Sequence, residues 1–207
     1  MDADAAEIRV LACLIEKQRT TPDVYPLTLN ALRAACNQTT NREPVVDYDE
    51  PAIRAAVEGL SNRRWVRLAS GPGSRTAKYR HLLDDALGLD GAELSLLCVL
   101  MLRGPQTPGE LKQRTERLHR FHSLEEIERA LDGLIERGLA VHLERRPGQK
   151  ESRYAHLLGG DGGSPEAGPR PLPPAEPAPD RVAALEERVD RLEDELAALR
   201  ESLQPRA

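Results

Sequence analysis

The 207-residue sequence predicts a mainly helical α+β chain whose folded part is one unit made twice. Three observations carry this: an internal repeat, a helix–strand–turn–strand pattern within each copy, and a Pro/Gly-rich stretch ahead of a heptad-patterned end. Residues 53–83 read IRAAVEGLSNRRWVRLASGPGSRTAKYRHLL, and residues 127–158 read IERALDGLIERGLAVHLERRPGQKESRYAHLL. Ile53, Ala56, Gly59 and Leu60 fall on Ile127, Ala130, Gly133 and Leu134. Tyr79, His81, Leu82 and Leu83 fall on Tyr154, His156, Leu157 and Leu158 after a one-residue slip. Each copy reads as an amphipathic helix, a β-prone run, a Gly/Pro turn and a second β-prone run. That order is the second half of a winged helix, with the turn as the wing. The prediction is two tandem winged-helix domains at residues 1–88 and 89–158, a disordered linker at 159–180 and a coiled-coil helix at 181–203.

The first domain opens with a helix over residues 6–17, apolar through Ile8, Leu11, Cys13, Leu14 and Ile15 and ended by Thr20, Thr21 and Pro22. A second helix is expected from residues 26–28 with Pro26 in its first turn, burying Leu29, Leu32, Ala35 and Cys36 and closed by a left-handed Asn37. Residues 38–48 form a long polar connection. Asp49 then caps a third helix that runs to about Asn62, and strands follow at 65–69 and 77–82 around Gly71, Pro72 and Gly73. In the second domain Asp90/Glu93, Thr107/Glu110 and Ser123/Glu126 have capping-box spacing and open helices at 91–103, 108–118 and 124–137. Gly138 stops the last of these, and Pro147 and Gly148 make the second wing.

Residues 159–180 hold one large apolar side chain, Leu172, and cannot bury enough surface to offset their chain entropy. Beyond them Val182, Val189, Leu196 and Leu203 take a positions, and Leu185, Leu192 and Leu199 take d positions. Val at a with Leu at d favours a parallel two-stranded coil and hence a homodimer. The g–e′ pairs of such a dimer, Arg181 with Glu186, Arg188 with Glu193 and Glu195 with Arg200, all have opposite signs. A single solvated helix with i,i+4 ion pairs is the plainer alternative.

Composition narrows the class. Aromatic residues are 3% of the chain, so the cores are built of Leu, Ala, Val and Ile. The apolar run at 94–102 falls far short of the ~20 residues of a membrane span, and acids near Met1 stand where a signal peptide carries bases. Cys13, Cys36 and Cys98 form no CxxC pair and read as reduced core thiols of a cytoplasmic protein. Net charge is −5, but residues 161–207 carry 11 acids against 6 bases, so the tail holds the whole imbalance.

Residues 13–45, CLIEKQRTTPDVYPLTLNALRAACNQTTNREPV, resemble the signature of the bacterial YceH family, as do GPQTPGEL at 104–111 and ESRYAHLL at 151–158. The resemblance covers about residues 5–160. It implies tandem winged helices and supplies no mechanism.

Duplex DNA binding is the leading functional expectation, in the manner of a transcription regulator. Arg63, Arg64, Arg67, Arg75, Lys78 and Arg80 lie between Asn62 and His81 with no acid among them, a phosphate footprint on the first wing. Asn37, Gln38, Asn41 and Arg42 add polar groups for contact, against the plainer reading that they fix their loop through backbone hydrogen bonds. The third helices argue against base reading, because Asp47, Asp49 and Glu50 open one and Glu125, Glu126, Glu128, Asp132 and Glu136 crowd the other. Sequence specificity is therefore expected to be modest. The rival expectation is a scaffold that uses the winged helices and coil for docking. No catalytic motif is present and no cofactor or metal is expected. His119 and His122 lack further ligands at metal spacing, and the recurrence of His81 and His156 at equivalent strand ends favours packing.

Overall fold

A computed structural model describes residues 3–69, 76–144 and 151–159. The linker and all seven heptad positions from Val182 to Leu203 lie outside the described residues, as do Arg75, Gly71, Pro72, Gly73, Pro147 and Gly148. The described part belongs to one compact unit, Met1–Pro165. It is mostly helical, with small antiparallel sheets. Its elements are α1 (Ala5–Thr20), β1 (Leu27–Thr28), α2 (Leu29–Cys36), α3 (Glu50–Asn62), β2 (Val66–Leu68), β3 (Lys78–His81), α4 (Leu83–Leu87), α5 (Gly91–Arg103), α6 (Pro108–Thr115), α7 (Leu124–Glu136), β4 (Ala140–Leu143) and β5 (Arg153–His156).

Two helices form the centre. Residues 7–15 of α1 and 94–102 of α5 are buried without a break, so neither helix has a polar face over that length. They pack together, and the Cys98 thiol donates to the Ala12 carbonyl at 3.4 Å. One core therefore runs through both copies of the repeat, and the N–H of Ala3 closes on the Leu158 carbonyl at 3.1 Å. The expected boundary at residues 88 and 89 falls in the turn after α4, where Gly88 adopts φ +60°. Cys13, Cys36 and Cys98 are free and buried. Among the described residues no helix is long and apolar enough to cross a membrane.

The capping expectations translate into bonds. Asp90/Glu93 and Thr107/Glu110 form complete capping boxes. Ser123 accepts the Glu126 N–H, but the Glu126 carboxylate takes the His122 N–H, so the third box is half made. Asp4/Glu7 forms a further box that opens α1.

Three local expectations are corrected. Pro26 does not start a helix: Leu27 and Thr28 are extended and pair with Tyr79 and Lys78, and the Thr28 hydroxyl caps α2 by accepting the Ala31 N–H. Asn37 is not left-handed (φ −90°, ψ 12°), because its side chain is anchored elsewhere. The third strand β1 makes the first sheet β1-β3-β2, and in the second copy Gln106 bridges Tyr154 at the corresponding edge of the β4–β5 hairpin.

The repeat reaches further than the sequence alignment. Glu7 and Glu93, the third residues of α1 and α5, each reach across to the glycine of the later helix. A Cβ on Gly59 would collide with Glu7 Oε1, and one on Gly133 would stand 3.3 Å from Glu93 Oε1. Each glycine is thus a close-approach position. Each carboxylate also meets the arginine that ends that helix: Arg63 at 3.5 Å from Glu7 and Arg137 at 3.0 Å from both oxygens of Glu93.

Candidate nucleic-acid interface

The β2–β3 ladder sorts the cations of the first hairpin. Val66 pairs with His81, both buried, on the core side. Arg67 pairs with Arg80 on the other face, which alternation gives to Lys78 as well. Directly opposed like charges destabilise a sheet. Among the described residues neither Arg67 nor Arg80 has an acidic partner, and Arg80 Nε is shielded from solvent without a hydrogen bond. In the second copy the same register places Val141 opposite Ala155.

Arg64 is exposed at φ +63°, a left-handed conformation uncommon for a side chain. Its counterpart in the second copy is Gly138, at φ +67°. Arg63 differs from these cations. It caps α3, pairs with Glu7 and lays its guanidinium 5.9 Å from the Trp65 ring centroid, so its first duty is to join α3 to α1.

Within the polar connection Arg42 turns inward, while Thr39, Thr40 and Asn41 stay exposed. Arg42 is 4% exposed and directs its guanidinium to Glu16 (2.6 and 3.1 Å), the Ala35 and Asn41 carbonyls and Gln38 Oε1. No donor remains for a phosphate. Asn37 grips Tyr48 twice, donating to its carbonyl at 2.8 Å and accepting its N–H at 2.9 Å. Asn41, at φ +61°, accepts from Arg103. Burial pulls the Glu16 carboxyl upward, but the hydrogen bonds and charge of Arg42 outweigh it and hold the pKa below the usual carboxylate range. A second buried arginine, Arg9, was not among the expected site residues. It donates to the Cys36 carbonyl at 3.2 Å and the Pro44 carbonyl at 2.7 Å, pinning the same loop from the other end. Its sequence signal is a charge set inside the otherwise apolar run of residues 8–15.

The histidines pack. His81 is fully buried, with Nε2 2.7 Å from Gln18 Oε1 and its N–H donated to the Tyr25 hydroxyl at 2.9 Å. Burial pushes its pKa down to about 4, against the opposing pull of Asp84 at 3.5 Å. Burial alone takes His156 to about 4. His119 stacks edge-on with Phe121, and among the described residues no group of three His, Cys, Asp or Glu side chains could hold a metal.

The two candidate reading helices present acids to solvent. On α3, Glu50 pairs with Arg54 at 2.6 Å. On α7, Glu125, Glu128, Asp132 and Glu136 are exposed, with Arg129 among them.

Several bacterial proteins resemble the chain along nearly its whole length. A "UPF0502 protein" of Pelobacter propionicus is 51% identical over 201 residues, covering 94% of this chain and 91% of the relative. One of Geotalea uraniireducens is 47% identical, covering 97% and 91%, and one of Chromobacterium violaceum is 45% identical, also covering 97% and 91%. Residues 3–149 match the family described as "Protein of unknown function, DUF480", and the chain belongs to that family.

Proposed function

We propose that both copies are winged helices of the YceH type and that the chain is a non-enzymatic transcription regulator. In this reading it binds duplex DNA through the first hairpin, using Arg64, Arg67, Lys78, Arg80 and Arg75, with modest sequence specificity. One observation carries the reading: Arg67 opposes Arg80 at the register where the second copy holds Val141 and Ala155. The fold is built at that register without charge, so the two guanidiniums answer to something outside it. A phosphate backbone, which needs charge and not base edges, relieves their repulsion. The acidic α3 and α7 support backbone contact over base reading.

Labelled duplex titrated over salt tests this. The wild-type chain should show a log–log slope of about −3 to −5, at ~0.9 per phosphate neutralised. R67A/R80A should bind at least about tenfold more weakly, with a slope shallower by about 2 and an undiminished melting temperature. Unchanged affinity would remove the proposal's basis.

The chain acts as a homodimer in this reading, joined through the heptad of residues 182–203. Sedimentation should find the chain cut after Gly160 a monomer and the full chain a dimer, and the same oligomeric state for both would end the dimer proposal. The exposed acids of α7 favour a second role for the second copy, docking a basic protein partner.

A further inference from the structure

We propose that the cleft where α1, α5 and the end of α6 meet binds a small phosphorylated molecule with an apolar or aromatic body. The cleft has a volume of about 440 Å³, within the range of pockets that take small ligands. Three guanidiniums line it, from Arg103, Arg114 and Arg117. Its acid is Glu16, whose carboxylate is already engaged by Arg42 at 2.6 Å and Lys17 at 3.4 Å. Arg114 has Glu110 at 3.4 Å. Among the described residues Arg103 bonds the neutral side-chain oxygen of Asn41, and neither it nor Arg117 has an acidic partner in an ion pair. The lining is thus net positive after its internal pairs are made.

The environment of Arg103 agrees with that balance. Partial burial, and then the fields of Arg114 and Arg42, hold its pKa below the usual arginine range. A dianion placed between Arg103 and Arg117 reverses the repulsion, and the planar forks of two arginines suit a phosphate's three oxygens. Beside them Leu118 is partly exposed, while Val99 and Leu102 are nearly buried, so the cleft offers a ligand's body one accessible apolar side chain. Guanidiniums with Leu118 beside them favour a phosphate ester over inorganic phosphate. The site involves none of Arg64, Arg67 or Arg80, so it stands or falls apart from the duplex reading.

Calorimetry on the full chain at fixed ionic strength tests it with 1-naphthyl phosphate, pyrophosphate and citrate. The naphthyl ester should bind once per chain with a Kd below about 1 mM, more tightly than pyrophosphate and at least about tenfold more tightly than citrate. R117Q, at an exposed position, should weaken it about tenfold with an unchanged melting temperature. R103Q should do the same, and R129Q, on α7, should leave affinity intact. Absence of saturable heat with the naphthyl ester at about 10 mM overturns the proposal, as do citrate binding equally well or R117Q binding like wild type. Should R117Q weaken a duplex as much as the ester, the cleft is part of a nucleic-acid surface and the small-molecule assignment falls.

Discussion

Arg42→Met removes the most heavily bonded side chain of the polar connection. The Arg42 side chain is wholly buried and that of Glu16 is 14% exposed, so the substitution leaves a shielded carboxylate with Lys17, 3.4 Å away, as its remaining cation. It also strands the Ala35 carbonyl, which accepts two of the guanidinium's hydrogen bonds. Removing one partner of a buried pair costs about 3–5 kcal/mol. At about 2–4 °C per kcal/mol for a domain of this size, the melting temperature should fall by about 6–20 °C. Urea unfolding followed by circular dichroism measures the loss directly. Its pH dependence carries a sign. In the wild type the lowered Glu16 pKa supplies stability above the unfolded carboxyl pKa of about 4.3, and this is lost as pH falls through the folded value. In R42M the larger opposition to burial is gone and Lys17 alone remains, so the carboxyl pKa rises and protonation relieves the poorly paired charge. The deficit should therefore be largest near neutrality and shrink below the raised pKa. Glu16→Leu added to R42M should restore part of the loss, since a buried pair replaced by apolar groups is often tolerated. A deficit under about 1 kcal/mol, or one equal at neutral and acid pH, refutes the buried-pair account.

Two further outcomes follow from single side chains. His81 is neutral in the folded state down to about pH 4, whereas its unfolded form takes a proton below about 6.5, so stability is full above 6.5 and falls as pH drops toward 4. The loss is on the order of 3 kcal/mol at the low end; His81→Gln should reduce the slope of the stability curve over this window, His156 supplying the remainder, and an unchanged slope refutes the assignment. Arg64→Gly should raise stability by about 1 kcal/mol, the strain of a side chain at φ +63°, while weakening duplex binding. A gain in stability with full duplex affinity would take Arg64 out of the footprint.

Helix starts were legible because a cap is a local arrangement: Asp49, Asp90, Thr107 and Ser123 each accept the N–H three residues on. β1 was not, since two residues have no periodicity and their extended state depends on β3. The burial of Arg42 was also hidden. Arg42 looks solvated in sequence, and its burial depends on a carboxylate 26 positions away. Arg63 was half legible, because it aligns with Arg137 in the repeat, but the Glu7 that engages it lies outside the aligned segments.

The two copies meet the same backbone demand with different residues, and the difference has a direction. After α3 and after α7 the chain must enter a left-handed conformation before its first strand, and the second copy uses Gly138 there. The first copy uses Arg64 at nearly the same φ and then opposes Arg67 to Arg80 where the second has Val141 and Ala155. Each choice lowers stability in the first copy, and both place positive charge on the same hairpin. A genome-wide preference for arginine would account for neither, because it would fall on both copies alike. Arg63 and Arg137 show what an arginine kept for the fold looks like here: it ends its helix and reaches a carboxylate on the first helix of its own copy. Arg64, Arg67 and Arg80 have no such partner among the described residues, so the described fold makes no use of the charge they concentrate.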